Sequence, residues 1–277
     1  MPSLGDPRNM TVGIVVTEVT GVHPVKLPQR RKHIFFQNSA VGIGVEFTMN
    51  GDQESQFILG GRDEKNSNVP KSGLTKLSFK RGQYEDFYTS THTGTHMDAP
   101  AHVVKGGITV NEIPAQSFFG KAAVIDITRK ASLCPDAVAN VEDVRNWERT
   151  TQRSLNGTIV LLNSGWGQKW NDRDAFFGTP SDDPTKLHFP GFSEEACKWL
   201  AENRSVMGVG ADTASIDPGT STHFPCHGYI LGRRSFILEN VANVGEIPIA
   251  GAMLYVFPMK IGKGSGAPTR IVASVRT

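Results

Sequence analysis

Residues 122–127 read Ala122-Ala123-Val124-Ile125-Asp126-Ile127, and residues 158–162 read Thr158-Ile159-Val160-Leu161-Leu162. Both are short apolar runs rich in β-branched residues, which predicts buried strands. Between them Val141 to Trp147 carries helical spacing. A second helix is expected over Ser193–Asn203, because the Ser193 hydroxyl can cap it and Glu194 and Glu195 suit its first turn. Ala196, Trp199 and Leu200 then share one face. Beyond it lie the glycine-punctuated run Val206–Gly210 and the strand patterns Phe236–Leu238, Met253–Phe257 and Ile271–Ala273. The fold class that follows is α/β, a mixed strand-rich sheet with a few covering helices.

At 277 residues, 38% apolar and 20% charged, the chain has the make-up of one ordinary globular enzyme-sized domain. Residues 71–277 carry the strand and helix patterns. Residues 1–70 form an atypical N-terminal region of the same domain, in which the polar, glycine-rich segment 51–73 reads as a mobile loop. The net charge is +2, and the one tight basic cluster is Arg30-Arg31-Lys32. That is too little for a nucleic-acid footprint. No apolar run approaches the roughly 20 residues of a membrane span, and Val12–Val16 is too short for a secretory core, so a cytoplasmic protein is expected. The sequons at Asn9, Asn156 and Asn203 matter only in a secretory compartment. Cys134, Cys197 and Cys226 are odd in number and widely spaced, which argues against a disulfide framework or a thiolate zinc site. Neither a dinucleotide nor a P-loop glycine motif is present.

Three of the eight histidines fall within His92-Thr93-Gly94-Thr95-His96-Met97-Asp98-Ala99-Pro100-Ala101-His102. Gly94 and Pro100 oppose a helix here. In a straight strand, residues four apart stand about 13 Å apart, too far for His92 and His96 to meet one ion. Gly94 supplies the dihedral freedom for a bend. His92, His96 and Asp98 are therefore expected to converge from a curved strand or loop. Two imidazoles and a carboxylate suit Zn²⁺ or Mn²⁺ and leave positions open for water and substrate. His102, past Pro100, is placed as a proton shuttle.

A second polar cluster runs through Asp212-Thr213-Ala214-Ser215-Ile216-Asp217-Pro218, Phe224-Pro225-Cys226-His227 and Ile237-Leu238-Glu239-Asn240. Glu239 closes an apolar run, where an unpaired carboxylate is costly to bury. A cation would satisfy it, with His227 as co-ligand. Taken singly, His227 suits a core or surface histidine and Glu239 a solvated strand end equally well. His223 is expected to be exposed.

The stretch from His92 to His102 resembles the signature of the cyclase family of metal-dependent hydrolases, which includes bacterial-type kynurenine formamidase and isatin hydrolase. The resemblance continues through Asp212–Asp217, Phe224–His227, Leu238–Asn240, Phe257–Ile261 and Gly264–Pro268, and covers about residues 76–275. It implies that His92, His96 and Asp98 hold a first divalent metal, Zn²⁺ or Mn²⁺, with Asp98 able to bridge to a second. His227 and Glu239 complete that second site in two-metal members, and His102 matches the catalytic histidine. A swivelling β/β/α-type fold is implied too, with a homodimer or larger assembly. The implied substrate is a small amide, an N-formyl anilide such as N-formylkynurenine. Alternatives are opening of a cyclic amide or lactone, and metal binding without catalysis. The family's opening strand with its Asp-Leu-[ST]-His-like segment, and the aromatic-proline loop after it, are not found in residues 1–70. Thr17-Glu18-Val19-Thr20-Gly21-Val22-His23-Pro24 stands there instead.

Overall fold

The four parallel strands at the centre alternate perfectly between two cores, and this alternation sets the architecture. In a computed structural model that describes residues 12–17 and 89–276, the chain order is β1 (Val12–Thr17), β2 (His96–Asp98), β3 (Phe119–Asp126), α1 (Thr128–Leu133), β4 (Val138–Ala139), α2 (Val141–Thr151), β5 (Thr158–Asn163) and α3 (Arg173–Phe177). There follow β6 (Gly191–Phe192), α4 (Glu194–Asn203), β7 (Gly208–Ala211), α5 (Pro225–Gly232), β8 (Phe236–Glu239), β9 (Ala250–Pro258) and β10 (Gly266–Arg276). Strands β3, β5, β7 and β8 run parallel to one another. Strands β2, β9 and β10 join them antiparallel and close the sheet in the order β10-β2-β8-β7-β5-β3-β9 and back to β10, with β1 added to β10. The mixed α/β class expected from the sequence is the one observed. A short parallel pair, β4 and β6, stands apart.

Successive strand residues point to opposite faces. Ala122, Val124, Ile159, Leu161, Phe236 and Leu238 fill the interior of the closed sheet together with Leu254, Val256 and Ile271 from β9 and β10. Their neighbours Ala123, Ile125, Val160, Leu162, Val209 and Ile237 face outward and are covered by Val144 and Trp147 of α2, Ala196 and Leu200 of α4, and Ile230 of α5. Buried on both sides, these strands read as unbroken apolar runs.

Strand and helix expectations hold at β3, β5, β8, β9, β10, α2 and α4, and Ser193 caps α4 by accepting from the Ala196 amide at 3.2 Å. Two details differ. Ile127 lies past the end of β3 and precedes α1. Residues 225–232 form a helix that apolar spacing did not announce; it is buried on several sides, and its start is set by Pro225. The expected loop over 51–73 lies outside the described residues.

Candidate metal centre

Strand β2 is only three residues long, yet its register places most of the polar cluster. His96 pairs with Glu239 across to β8, so their side chains stand on one face, and Asp98, two residues on, shares that face. It is the outer face, the one that α5 covers, and all three residues are buried. His92 reaches it because the chain bends before β2, with Gly94 at φ +59° as the sequence required. The bend is clamped by the residue that follows β8: Thr95 donates its hydroxyl to the Asn240 carbonyl at 2.6 Å, and the Asn240 side-chain amide donates to the Gly94 carbonyl at 3.0 Å. That same carbonyl accepts Nδ1–H of His96 at 2.8 Å. Nε2 of His96 is thereby turned toward Asp98 Oδ1 and Glu239 Oε2, both at 3.3 Å.

His92 lies with Nδ1 2.6 Å from Asp98 Oδ1 and Nε2 3.0 Å from the Ser265 hydroxyl. Its ring rests flat on Gly266, where a Cβ would come within 2.5 Å of His92 Cε1. Pro100 starts a single 3-10 turn, Pro100–His102, that brings His102 back over the site, stacked on His92 with ring centroids 4.1 Å apart. His102 is exposed on its solvent side.

His227 enters from the first turn of α5. Its Nδ1–H donates to Asp217 at 2.7 Å, and its Nε2 lies 3.2 Å from Glu239 Oε1 and 3.5 Å from Asp98 Oδ2. Asp217 is fully buried and also accepts the backbone amides of Cys226 and His227. This carboxylate fixes which imidazole nitrogen faces the cavity. Asp217 stood in the second polar cluster of the sequence, but nothing in spacing alone separated its role from that of Asp212. Asp212 turns elsewhere and accepts the Ser164 hydroxyl at 2.5 Å. His223 is exposed and outside the cluster, as expected.

The donor atoms of His92, His96 and Asp98 all lie within 4.8 Å of one another, as do those of Asp98, His102 and His227. Asp98 belongs to both groups, and its Oδ2 is one of two buried side-chain polar atoms among the described residues that have no hydrogen-bond partner. Burial opposes positive charge on His96 and His227, yet hydrogen bonds and charge from the carboxylates outweigh it. The carboxylates raise His96 to about 10, and His227, tied to Asp217, Asp98 and Glu239, to about 12. Burial also works against ionised Asp98, but His227, His92 and His96 together hold its carboxyl well below the usual range. His102 goes the other way, lowered chiefly by burial and further by its neighbours His92 and His227. Two carboxylates facing clustered imidazoles thus draw in positive charge, and an orphaned oxygen aims into the space between them. The residues fit a divalent cation.

The model of the family described as "Putative cyclase" matches residues 23–218, well over half of the chain. The chain belongs to the cyclase family. The match reaches back to residue 23, ahead of the residue near 76 at which the motif resemblance begins. Isatin hydrolase of Roseibium aggregatum is 29% identical over 193 residues, 66% of this chain and 72% of that protein. Kynurenine formamidase of Salinibacter ruber is 29% identical over 223 residues, 80% and 88% of the two chains. Among solved structures, isatin hydrolase A of Ralstonia solanacearum superposes with a TM-score of 0.68 at 27% identity, covering 95% of this chain and 92% of the other.

Proposed function

We propose that this cyclase-family chain is a metal-dependent hydrolase of small amides, acting on an N-formyl anilide of the N-formylkynurenine type. The observation that carries the reading is the convergence of His92, His96 and His227 on the two oxygens of Asp98, with Glu239 against His96 and His227. In this reading His92, His96 and Asp98 hold one ion, and Asp98, His227 and Glu239 offer a second position. The nitrogen-and-carboxylate set suits Zn²⁺, with Mn²⁺ next. A bound cation of this kind supplies Lewis acidity toward a carbonyl oxygen and lowers the pKa of water to near neutrality.

The chain's own groups supply the rest. The Gly94 carbonyl and Asp217 fix the ring orientations of His96 and His227, so that no reorganisation is needed when substrate arrives. His102, stacked on His92 beside Asp98 and open to solvent, sits where it can take a proton and return it to the departing nitrogen. That return matters because an amide nitrogen leaves poorly as an anion.

A second reading, ring opening of a cyclic amide, is favoured by the isatin hydrolase relatives. Metal-loaded protein assayed on N-formylkynurenine and on isatin separates the two. Turnover of the first, abolished by a strong chelator and restored by Zn²⁺ or Mn²⁺, supports the proposal; turnover of isatin alone supports the second reading. Tight metal binding with neither activity would leave a non-catalytic metal protein.

A further inference from the structure

We propose that Phe224 determines substrate class, its ring forming a wall on which an aryl group lies while the scissile carbonyl reaches the Asp98 cluster. The inference rests on the hydrolase reading above and deepens it, because it says which part of the substrate the chain recognises and with which side chain.

Phe224 is anomalous by three local criteria. It occupies the N-cap of α5, a position at which Ser, Thr, Asp, Asn or Gly satisfies the first helical amides, and its side chain makes no cap hydrogen bond. Its backbone sits at φ +49°, ψ +52°, in the left-handed region where a bulky side chain is strained and glycine or asparagine is at home. The residue is 51% exposed, although the two residues two and three positions on, Cys226 and His227, are buried. Helix start, backbone conformation and solvation would each be better served by Gly or Asn. Residues that break several local rules at once, with no gain in the fold, are characteristic of functional positions.

The location supplies the function. The Phe224 ring meets the His227 ring edge-on, with centroids 5.9 Å apart and planes at 82°. His102 approaches His227 at the same centroid distance with planes at 57°. His227 is therefore flanked by an imidazole and by a half-exposed phenyl ring, while its Nε2 points to Asp98 and Glu239. One ring, that of His227, links Phe224 to Asp98. The proline that follows restricts the Phe224 backbone, and a phenyl side chain has only two torsions to lose when a ligand ring packs on it. Aromatic rings prefer offset or edge-on partners 4.5–7 Å away, and an aryl carboxylate or aryl amide satisfies that geometry where an alkyl one does not.

The probe is 2-aminobenzoate, a fluorescent aryl carboxylate, titrated into metal-loaded protein, with formate as an anion too small to reach the ring. Phe224→Gly and Phe224→Leu should each weaken 2-aminobenzoate by about tenfold, the size expected for a lost aromatic contact, while Phe224→Tyr stays within about twofold. Formate binding and metal content should not change. Gly relieves the backbone strain and Leu keeps a bulky apolar group, so the pair separates loss of the ring from relief of the strain. Undiminished 2-aminobenzoate binding to Phe224→Gly would overturn the proposal. So would no measurable binding to the unaltered protein, or equal loss of formate and 2-aminobenzoate, which would mean that Phe224 acts only by propping His227. The two readings fail separately. Ring-dependent binding without hydrolysis of any amide leaves this inference standing and removes the proposed activity, and amide hydrolysis with ring-independent binding does the reverse.

Discussion

Nδ1 of His227 donates to Asp217 at 2.7 Å, and this one bond aims Nε2 at the two carboxylates 3.2 and 3.5 Å away. Asp217 bonds to His227 and to the Cys226 amide, so its influence on the two carboxylates passes through the ring it holds.

Asp217→Asn tests that influence. The amide oxygen can still accept the Cys226 N–H, but the anionic partner of the imidazole is gone. Affinity for Zn²⁺ should fall by about 10–100-fold, the usual effect of losing such an outer partner. Competitive titration with a chromophoric chelator reads it, and unaltered affinity would remove Asp217 from the design.

His96→Ala and His102→Asn should fail differently. His96 presents an oriented Nε2 to Asp98 and Glu239, and without it the protein should lose most of its metal. His102 is open to solvent, and its asparagine variant should keep metal while turnover drops about 10²–10⁴-fold, the range of a positioned acid–base group. If His102→Asn is as metal-poor as His96→Ala, His102 is a ligand.

Gly266→Ala puts a methyl where His92 Cε1 would lie 2.5 Å away. The strand on which Gly266 sits is held by its pairing with Asp98 of β2, so the ring rather than the backbone should move. Metal affinity should fall by at least tenfold, on the scale of a disturbed ligand shell, with little change in the thermal midpoint. A preserved affinity with a lowered midpoint would show that the strand gave way instead.

Glu148 and Arg204 form a two-point ion pair at 2.6 and 2.7 Å between α2 and the end of α4. Arg204 holds the Glu148 carboxyl below its usual value, with burial opposing and the Leu155 amide assisting. A carboxyl that is more acidic when folded stabilises the fold above its unfolded pKa, near 4.3, and that contribution disappears as pH falls through the lower folded value. Arg204→Ala should therefore destabilise the protein in urea at pH 7 by more than it does at pH 3. An equal loss at both pH values would assign the effect to packing of Arg204 on Trp199, over which it lies at 4.4 Å.

Periodicity alone was enough for the mixed sheet. Strands buried on both faces announce themselves as apolar runs, and Ser193 with Glu194 and Glu195 marks a helix start through local hydrogen bonding. Residue chemistry was enough to gather His92, His96 and Asp98, and even the need for a bend at Gly94, because ligand reach and strand rise are fixed lengths. Tertiary structure decided the rest. Glu239 faces His96 only because β8 pairs with β2 in one register, and a shift of one residue would turn it to the opposite face. Asp217 and Asp212 share a motif five residues apart, yet one holds His227 and the other holds Ser164, partners that only the folded chain brings to them. The cradle of Gly266 and Ser265 under His92 spans more than 170 positions of sequence. No local pattern encodes a contact between segments that meet only when the sheet closes.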